Sequence, residues 1–91
     1  MVSELVHVVI TGRVQGVGYR FFARDAAQDL KLTGWVRNLP GGAVEAEAEG
    51  PRAKLEAWIE ELKVGPAISR VDDVQVDWRP SAVQYSDFSI R

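Results

Sequence analysis

The segment from Gly12 to Arg20 has the residue types of a binding site for a phosphate-like anion. Its glycines allow the backbone to turn several amide N–H groups toward one point, and such a nest binds anions. Its arginines add planar, permanently charged forks that match phosphate oxygens. The segment is not a Walker A loop, which needs a glycine followed by Lys and Ser or Thr, and Phe21 replaces the third glycine of a dinucleotide-binding fingerprint. Composition alone equally allows a glycine-rich turn with its arginines in solvent.

Hydrophobic patterns predict the elements that surround this segment. Residues 5–11 are mostly β-branched or apolar and predict a strand. Small and apolar residues then recur every three or four positions and predict a helix over residues 19–31. Residues 32–39 and 44–49 predict two strands joined by a turn at Pro40-Gly41-Gly42. Because glutamates alternate with small apolar residues in the second strand, we expect these glutamates to lie in solvent.

The rest of the chain predicts a second helix, a further strand and a possible short edge strand. A helix is predicted to begin at Gly50-Pro51 and end at Gly65-Pro66, with apolar residues at i, i+3, i+4 and i+7 spacing. Residues 74–78 alternate as a strand that Pro80 interrupts, and residues 85–90 predict a possible short edge strand. The order βαββαβ predicts an α+β fold, the ferredoxin-like split βαβ sandwich, with an antiparallel sheet and both helices on one face.

This topology predicts where the glycine-rich segment lies. A helix connects the first strand to the second, so the crossover runs these two strands in the same direction. The segments that leave both strands then emerge at the same edge of the sheet. We therefore expect residues 12–20 to be neighbours of Asn38. The length of the chain predicts a single domain that spans residues 1–91.

Two long motifs resemble a known family. Residues 12–20, GRVQGVGYR, and residues 34–45, GWVRNLPGGAVE, closely resemble the two signature stretches of the acylphosphatases. Glu49-Gly50-Pro51 and Gly65-Pro66 extend the resemblance over nearly the whole chain. The resemblance implies the ferredoxin-like fold and hydrolysis of the carboxyl–phosphate bond of small acyl phosphates.

The resemblance also implies roles for individual residues. It assigns phosphate binding to Arg20 and orientation of the attacking water to Asn38. The backbone amides of the loop would form the phosphate cradle, namely those of Gln15, Gly16, Val17, Gly18, Tyr19 and Arg20. Inorganic phosphate would be both a product and a competitive inhibitor, and we expect neither a metal nor a cofactor.

Several other side chains have weaker claims to a function. His7 lies in mid-strand, far in sequence from the loop, and is expected to be structural or exposed. Arg13 and Arg37 either add positive potential near the site or are ordinary solvated arginines. Aromatic residues near the loop either line an acyl-group pocket or belong to the core, and paired acids elsewhere are expected on the solvated surface rather than at a metal. These residues are Tyr19, Phe21, Phe22, Glu60, Glu61, Asp72 and Asp73.

Charge and composition limit the partners. Residues 1–40 carry five basic and three acidic side chains, whereas residues 41–91 carry six basic and ten acidic ones, so an anion site is expected in the first half. The formal net charge of −2 argues against a general nucleic-acid binder. The lack of cysteine favours a reducing compartment, and no apolar run approaches the roughly 20 residues that cross a bilayer. We expect a cytoplasmic monomer that binds neither membrane nor nucleic acid.

The residues leave other classes of function open. One is a non-catalytic anion-binding or regulatory module on the same fold. Another is a nucleic-acid binder that stacks bases on Trp35, Trp78 and Tyr85. A third is an acylphosphatase-like module of a larger acyl-transfer protein. The physiological acyl phosphate is not encoded in the motifs.

Overall fold

The computed structural model describes residues 3–81 and 85–91 of the 91-residue chain. Its elements follow the predicted order, and the short edge strand predicted within residues 85–90 is present. In chain order they are β1 (Glu4–Arg13), α1 (Tyr19–Asp29), β2 (Thr33–Asn38), β3 (Val44–Gly50), α2 (Arg52–Val64), β4 (Arg70–Pro80) and β5 (Phe88–Ile90).

The strands form one sheet in the order β4-β1-β3-β2-β5. β3 lies between β1 and β2 and is antiparallel to both, so β1 and β2 run in the same direction. β4 pairs antiparallel with β1 along nearly its whole length. The short strand β5 pairs parallel with β2, which makes the sheet mixed rather than wholly antiparallel. The predicted ferredoxin-like fold is confirmed.

Both helices cover one face of the sheet and enclose the core there. Alternate residues of β1 are fully buried on this face, as period-two patterning requires. Ala23 and Ala27 leave room for α1 to approach the strands, and the Trp58 indole of α2 donates a 3.0 Å hydrogen bond to the Ala23 carbonyl oxygen. This bond satisfies the polar atom of a fully buried ring and joins the two helices.

The opposite face of the sheet differs from the expectation for its glutamates. Glu49 of β3 is only 7% exposed rather than solvated. The Ser81 hydroxyl and the Tyr85 amide, both C-terminal to β4, hydrogen-bond to its carboxylate. Ser81 and Tyr85 therefore partly cover this face, a contact that strand alternation does not predict.

The ends of the elements differ from the predicted bounds for local reasons. α1 ends at Asp29, two residues early, because Lys31 adopts a left-handed conformation with φ of 59°. Pro51 precedes α2 as its N-cap instead of opening the helix. β4 begins at Arg70 and ends at Pro80, so it is longer than the predicted five-residue strand because its backbone pairs with β1 beyond the apolar positions.

Candidate active site

The loop between β1 and α1 has the backbone conformation of an anion-binding nest. Gly16 and Gly18 have φ of 75° and 77°, whereas Val17 between them is on the negative side of φ. This alternation turns successive amide N–H groups toward the same side of the loop. A residue with a Cβ adopts the left-handed conformation only at a cost of about 1–2 kcal/mol, so glycine suits both positions.

The N-terminus of α1 adds further amide donors to this loop. Its first hydrogen bond runs from the Phe22 amide to the Gly18 carbonyl oxygen at 3.0 Å, so the amides of residues 19–21 have no partner within the helix. Among the residues that the structure describes, no side chain caps them, and no acidic residue lies in the first turn. The positive end of the helix dipole is thus left available to an external anion.

Arg20 lies in this first turn and is half-buried. Within residues 3–81 and 85–91, no carboxylate lies within 4.0 Å of its guanidinium, whereas Arg24 one turn later pairs with Asp25 at 3.1 Å. The charge of Arg20 is therefore not neutralised by a described side chain.

Tyr19 fixes the start of α1 to α2. Its ring is 1% exposed, and its hydroxyl donates a 2.7 Å hydrogen bond to the carbonyl oxygen of Leu62 in the last turn of α2. Burial raises the pKa of the Tyr19 phenol far above its ordinary value, so the hydroxyl stays protonated and remains a donor. The residue before Arg20 is thereby anchored in the core, and Tyr19 does not line an open pocket.

Asn38 ends β2, directly opposite Val44 of β3. Its side-chain oxygen Oδ1 is buried, and no described residue donates a hydrogen bond to it. Buried polar atoms are nearly always hydrogen-bonded in native proteins, so this oxygen, which has no partner among the described residues, is available to accept a hydrogen bond from a bound molecule.

The side chain of Gln15 joins the glycine-rich loop to the turn after Asn38. Its Nε2 lies 2.8 Å from the carbonyl oxygen of Leu39 and 2.8 Å from that of Ala43. The loop and the end of β2 are therefore in direct contact, as the topology predicts. The motif did not predict this side-chain contact, because it indicates only that backbone amides of the loop face an anion.

The chain is similar to known proteins over nearly its whole length. A model of the acylphosphatase family matches residues 6–90. The acylphosphatase of Salinibacter ruber is 51% identical over 89 residues, which cover 98% of this chain and 94% of that protein. The chain belongs to the acylphosphatase family.

Solved acylphosphatases share its fold closely. The crystal structure of the Bacillus subtilis acylphosphatase superposes with a TM-score of 0.94 at 40% identity and covers 97% of this chain and 98% of that one. The Coxiella burnetii acylphosphatase gives a TM-score of 0.93 at 39% identity and covers 99% and 94% of the two chains. Acylphosphatases hydrolyse acyl phosphates, so the predicted family and enzymatic activity are confirmed, with a small acyl phosphate as substrate and phosphate as product.

Most of the other candidate residues lie outside the loop between β1 and α1. His7 and Arg37 hydrogen-bond to the same carboxylate, that of Glu45, at 2.7 Å and 2.6 Å. Arg13 is exposed at the end of β1. Phe21 is 55% exposed next to Arg20, so of the three aromatic candidates it is the one that presents a large apolar surface to solvent near the loop.

The paired acids do not form a ligand set. Asp72 pairs with Arg70, and Glu60 pairs with Lys63 on the exposed face of α2. Across the part of the chain that the structure describes, no three His, Asp or Glu side chains meet in a group that could hold a metal ion. Neither of the two described helices has the length and apolarity that crossing a membrane requires.

Proposed function

We propose that Arg20 and the backbone amides of residues 15–20 bind the phosphoryl group of the acyl phosphate, and that Asn38 orients the attacking water. The Oδ1 of Asn38 carries this proposal, because it is buried and accepts no hydrogen bond from residues 3–81 or 85–91. A water that donates one hydrogen to this oxygen satisfies it and directs a lone pair away from the amide. The hydrogen bonds of Gln15 hold the end of β2 against the loop, which supports a position of this water beside the phosphate cradle.

The cradle suits the charge of the phosphoryl group. The loop amides, the uncapped start of α1 and the guanidinium of Arg20 all supply positive charge without a metal or cofactor. Phosphoryl transfer depends mainly on such electrostatic stabilisation and on alignment of the nucleophile. Arginine can contact two phosphoryl oxygens at once, which favours Arg20 as the clamp.

The leaving group reduces what the protein must do. A carboxylic acid has a pKa of about 4, so the carboxylate leaves without a general acid. Water attacks phosphorus, the bond from phosphorus to the acyl oxygen breaks, and a phosphoryl oxygen accepts the proton from water. Asn38 has no titratable group, so it acts by position and not as a base.

Turnover of benzoyl phosphate by Arg20→Gln tests the proposed clamp. We expect kcat/KM to fall at least about 100- to 1000-fold, with weaker competitive inhibition by inorganic phosphate. Arg24→Gln is the matched control, because it removes the same charge one turn along α1. Equal rates in the wild type and Arg20→Gln would refute the clamp.

We also infer a cytoplasmic monomer, formed by one domain, that binds neither nucleic acid nor membrane. The cysteine-free composition and the acidic second half support this inference. The aromatic residues considered for base stacking are engaged within the protein: Trp35 is 7% exposed and donates to the Tyr85 hydroxyl, and the Arg52 guanidinium covers Trp78 at 3.6 Å. Gel filtration and a salt-dependent RNA titration test these points.

A further inference from the structure

The side chain of Gln15 makes two hydrogen bonds that phosphate binding by the backbone does not require. Its amide nitrogen donates to the carbonyl oxygens of Leu39 and Ala43, both at 2.8 Å. Both acceptors are carbonyls, so only the NH2 end of the amide can face them, and both of its hydrogens are used. Gln15 is half-buried, which shields these bonds from competing water.

The two acceptors are the ends of the turn between β2 and β3. The amide of Leu39 donates to the Ala43 carbonyl at 2.8 Å and closes the turn. Leu39 directly follows Asn38, and Ala43 directly precedes Val44, the residue that pairs with Asn38. The Gln15 side chain thus holds the backbone on both sides of the Asn38–Val44 pair.

We propose that the side chain of Gln15 is a positioning residue that fixes the distance between the phosphate cradle and the water held by Asn38. This inference rests on the proposed function of Arg20 and Asn38. The cradle sets the position of phosphorus, and the end of β2 sets the position of the water. In-line attack requires reacting atoms about 3–3.5 Å apart, and an error of about 1 Å can cost 100-fold in rate.

Substitutions that preserve the size of Gln15 separate its hydrogen bonds from its bulk. Gln15→Met has a similar length but no donor. Gln15→Glu places an ionised carboxylate against two carbonyl oxygens at neutral pH, whereas its protonated form regains one donor. Neither variant removes the backbone amide of residue 15 from the cradle.

A double-mutant cycle with Asn38→Ala tests the proposal, with benzoyl phosphate as substrate and inorganic phosphate as inhibitor. We expect Gln15→Met to lower kcat about 10- to 100-fold while the inhibition constant of phosphate changes less than about threefold. In the Asn38→Ala background the same substitution should lower kcat less than about threefold, because there is no oriented water left to misplace. Gln28→Met, on the exposed surface of α1, is the matched control and should leave all constants unchanged.

Two results would overturn the proposal: an equal loss of kcat in both backgrounds, or phosphate inhibition weakened by the same factor as kcat. If Gln15→Met fails to fold, Gln15→Glu decides. Its kcat relative to the wild type should rise as the pH falls from about 7 toward about 5, where the carboxyl begins to protonate, and a flat ratio would overturn the proposal. Wild-type turnover by Asn38→Ala alone would instead refute the proposed function.

Discussion

Ile10 and Asn38 pair with the same residue of the central strand, Val44, from opposite sides. Ile10 of β1 and Asn38 at the end of β2 therefore lie at the same level of the sheet, and β1 continues from there to Arg13 before the loop begins. One strand separates the two, so they are about 9–10 Å apart across the sheet, a gap that the loop and its Gln15 side chain bridge.

This arrangement predicts that Asn38→Ala loses activity without losing stability. We expect kcat for benzoyl phosphate to fall about 100-fold with KM within about threefold, because water placement acts on the transition state. The buried Oδ1 forms no hydrogen bond with the described residues, so its removal should change the free energy of unfolding by less than about 0.5 kcal/mol. Steady-state kinetics and urea unfolding of the same preparation measure both effects. A near-normal kcat would exclude the water-positioning role.

Gly18→Ala is predicted to weaken phosphate binding through the backbone. Gly18 has φ of 77°, and an added Cβ would meet no atom within 4 Å, so the strain is conformational and not steric. Relaxation of that strain turns the cradle amides away, and we expect the inhibition constant of phosphate to rise about tenfold, equivalent to about 1.4 kcal/mol.

Gly41→Ala is the matched control for Gly18→Ala. Gly41 has φ of 94° and equally open surroundings, but it lies in the turn between β2 and β3. We expect Gly41→Ala to lose about as much stability as Gly18→Ala, because both strain a left-handed backbone. Its inhibition constant for phosphate should equal that of the wild type. Comparable inhibition constants in the two variants would show that the loop conformation does not determine phosphate affinity.

The sequence predicted the site as far as local backbone chemistry determines it. The glycines of the loop and the strand that ends at Asn38 are both local features, and the rule for crossover connections predicts that they share one edge of the sheet. The contacts of the Gln15 side chain could not be predicted, because its acceptors are 24 and 28 residues away in the sequence. These contacts form only when the turn between β2 and β3 lies beside the loop in the folded protein.

The extent of β4 shows a second limit of the sequence patterns. Alternation of apolar residues predicts only residues 74–78, yet pairing with β1 continues through the charged residues before them. An edge strand exposes charged side chains without losing its backbone hydrogen bonds, so its hydrophobic pattern is shorter than the strand. The pattern likewise does not predict the burial of Glu49, because its partners Ser81 and Tyr85 are distant in the sequence.

Tyr19→Phe should destabilise the fold. The Tyr19 hydroxyl is the buried donor to the Leu62 carbonyl oxygen, and removal of the donor leaves that carbonyl unpaired in the core at a cost of about 1–3 kcal/mol. Tyr85→Phe is the comparison, because the Tyr85 hydroxyl donates to Glu47 and accepts from Trp35 in half-buried positions rather than in the core, and it should cost less. Urea unfolding midpoints at constant m-value compare the two. Equal losses would contradict a special role for the Tyr19 bond.

Glu45 is predicted to make stability depend on pH in the acid range. Burial alone would raise the pKa of its carboxyl, but hydrogen bonds and charge from His7 and Arg37 lower the pKa below its ordinary value overall. A carboxyl with a lowered pKa in the folded state stabilises the protein above the unfolded pKa of about 4.3, and this stabilisation is lost as the pH falls through the folded value.

Glu45→Gln should therefore be less stable than the wild type by about 1 kcal/mol near pH 7, and the difference should shrink as the pH falls below about 4. Urea unfolding of both proteins between pH 3 and pH 7 measures this difference. Glu60→Gln is the control, because Glu60 pairs with Lys63 on the exposed face of α2, where solvent screens the pair. A Glu45→Gln difference that stays constant over the range would show that His7 and Arg37 do not stabilise the Glu45 carboxylate in the folded protein.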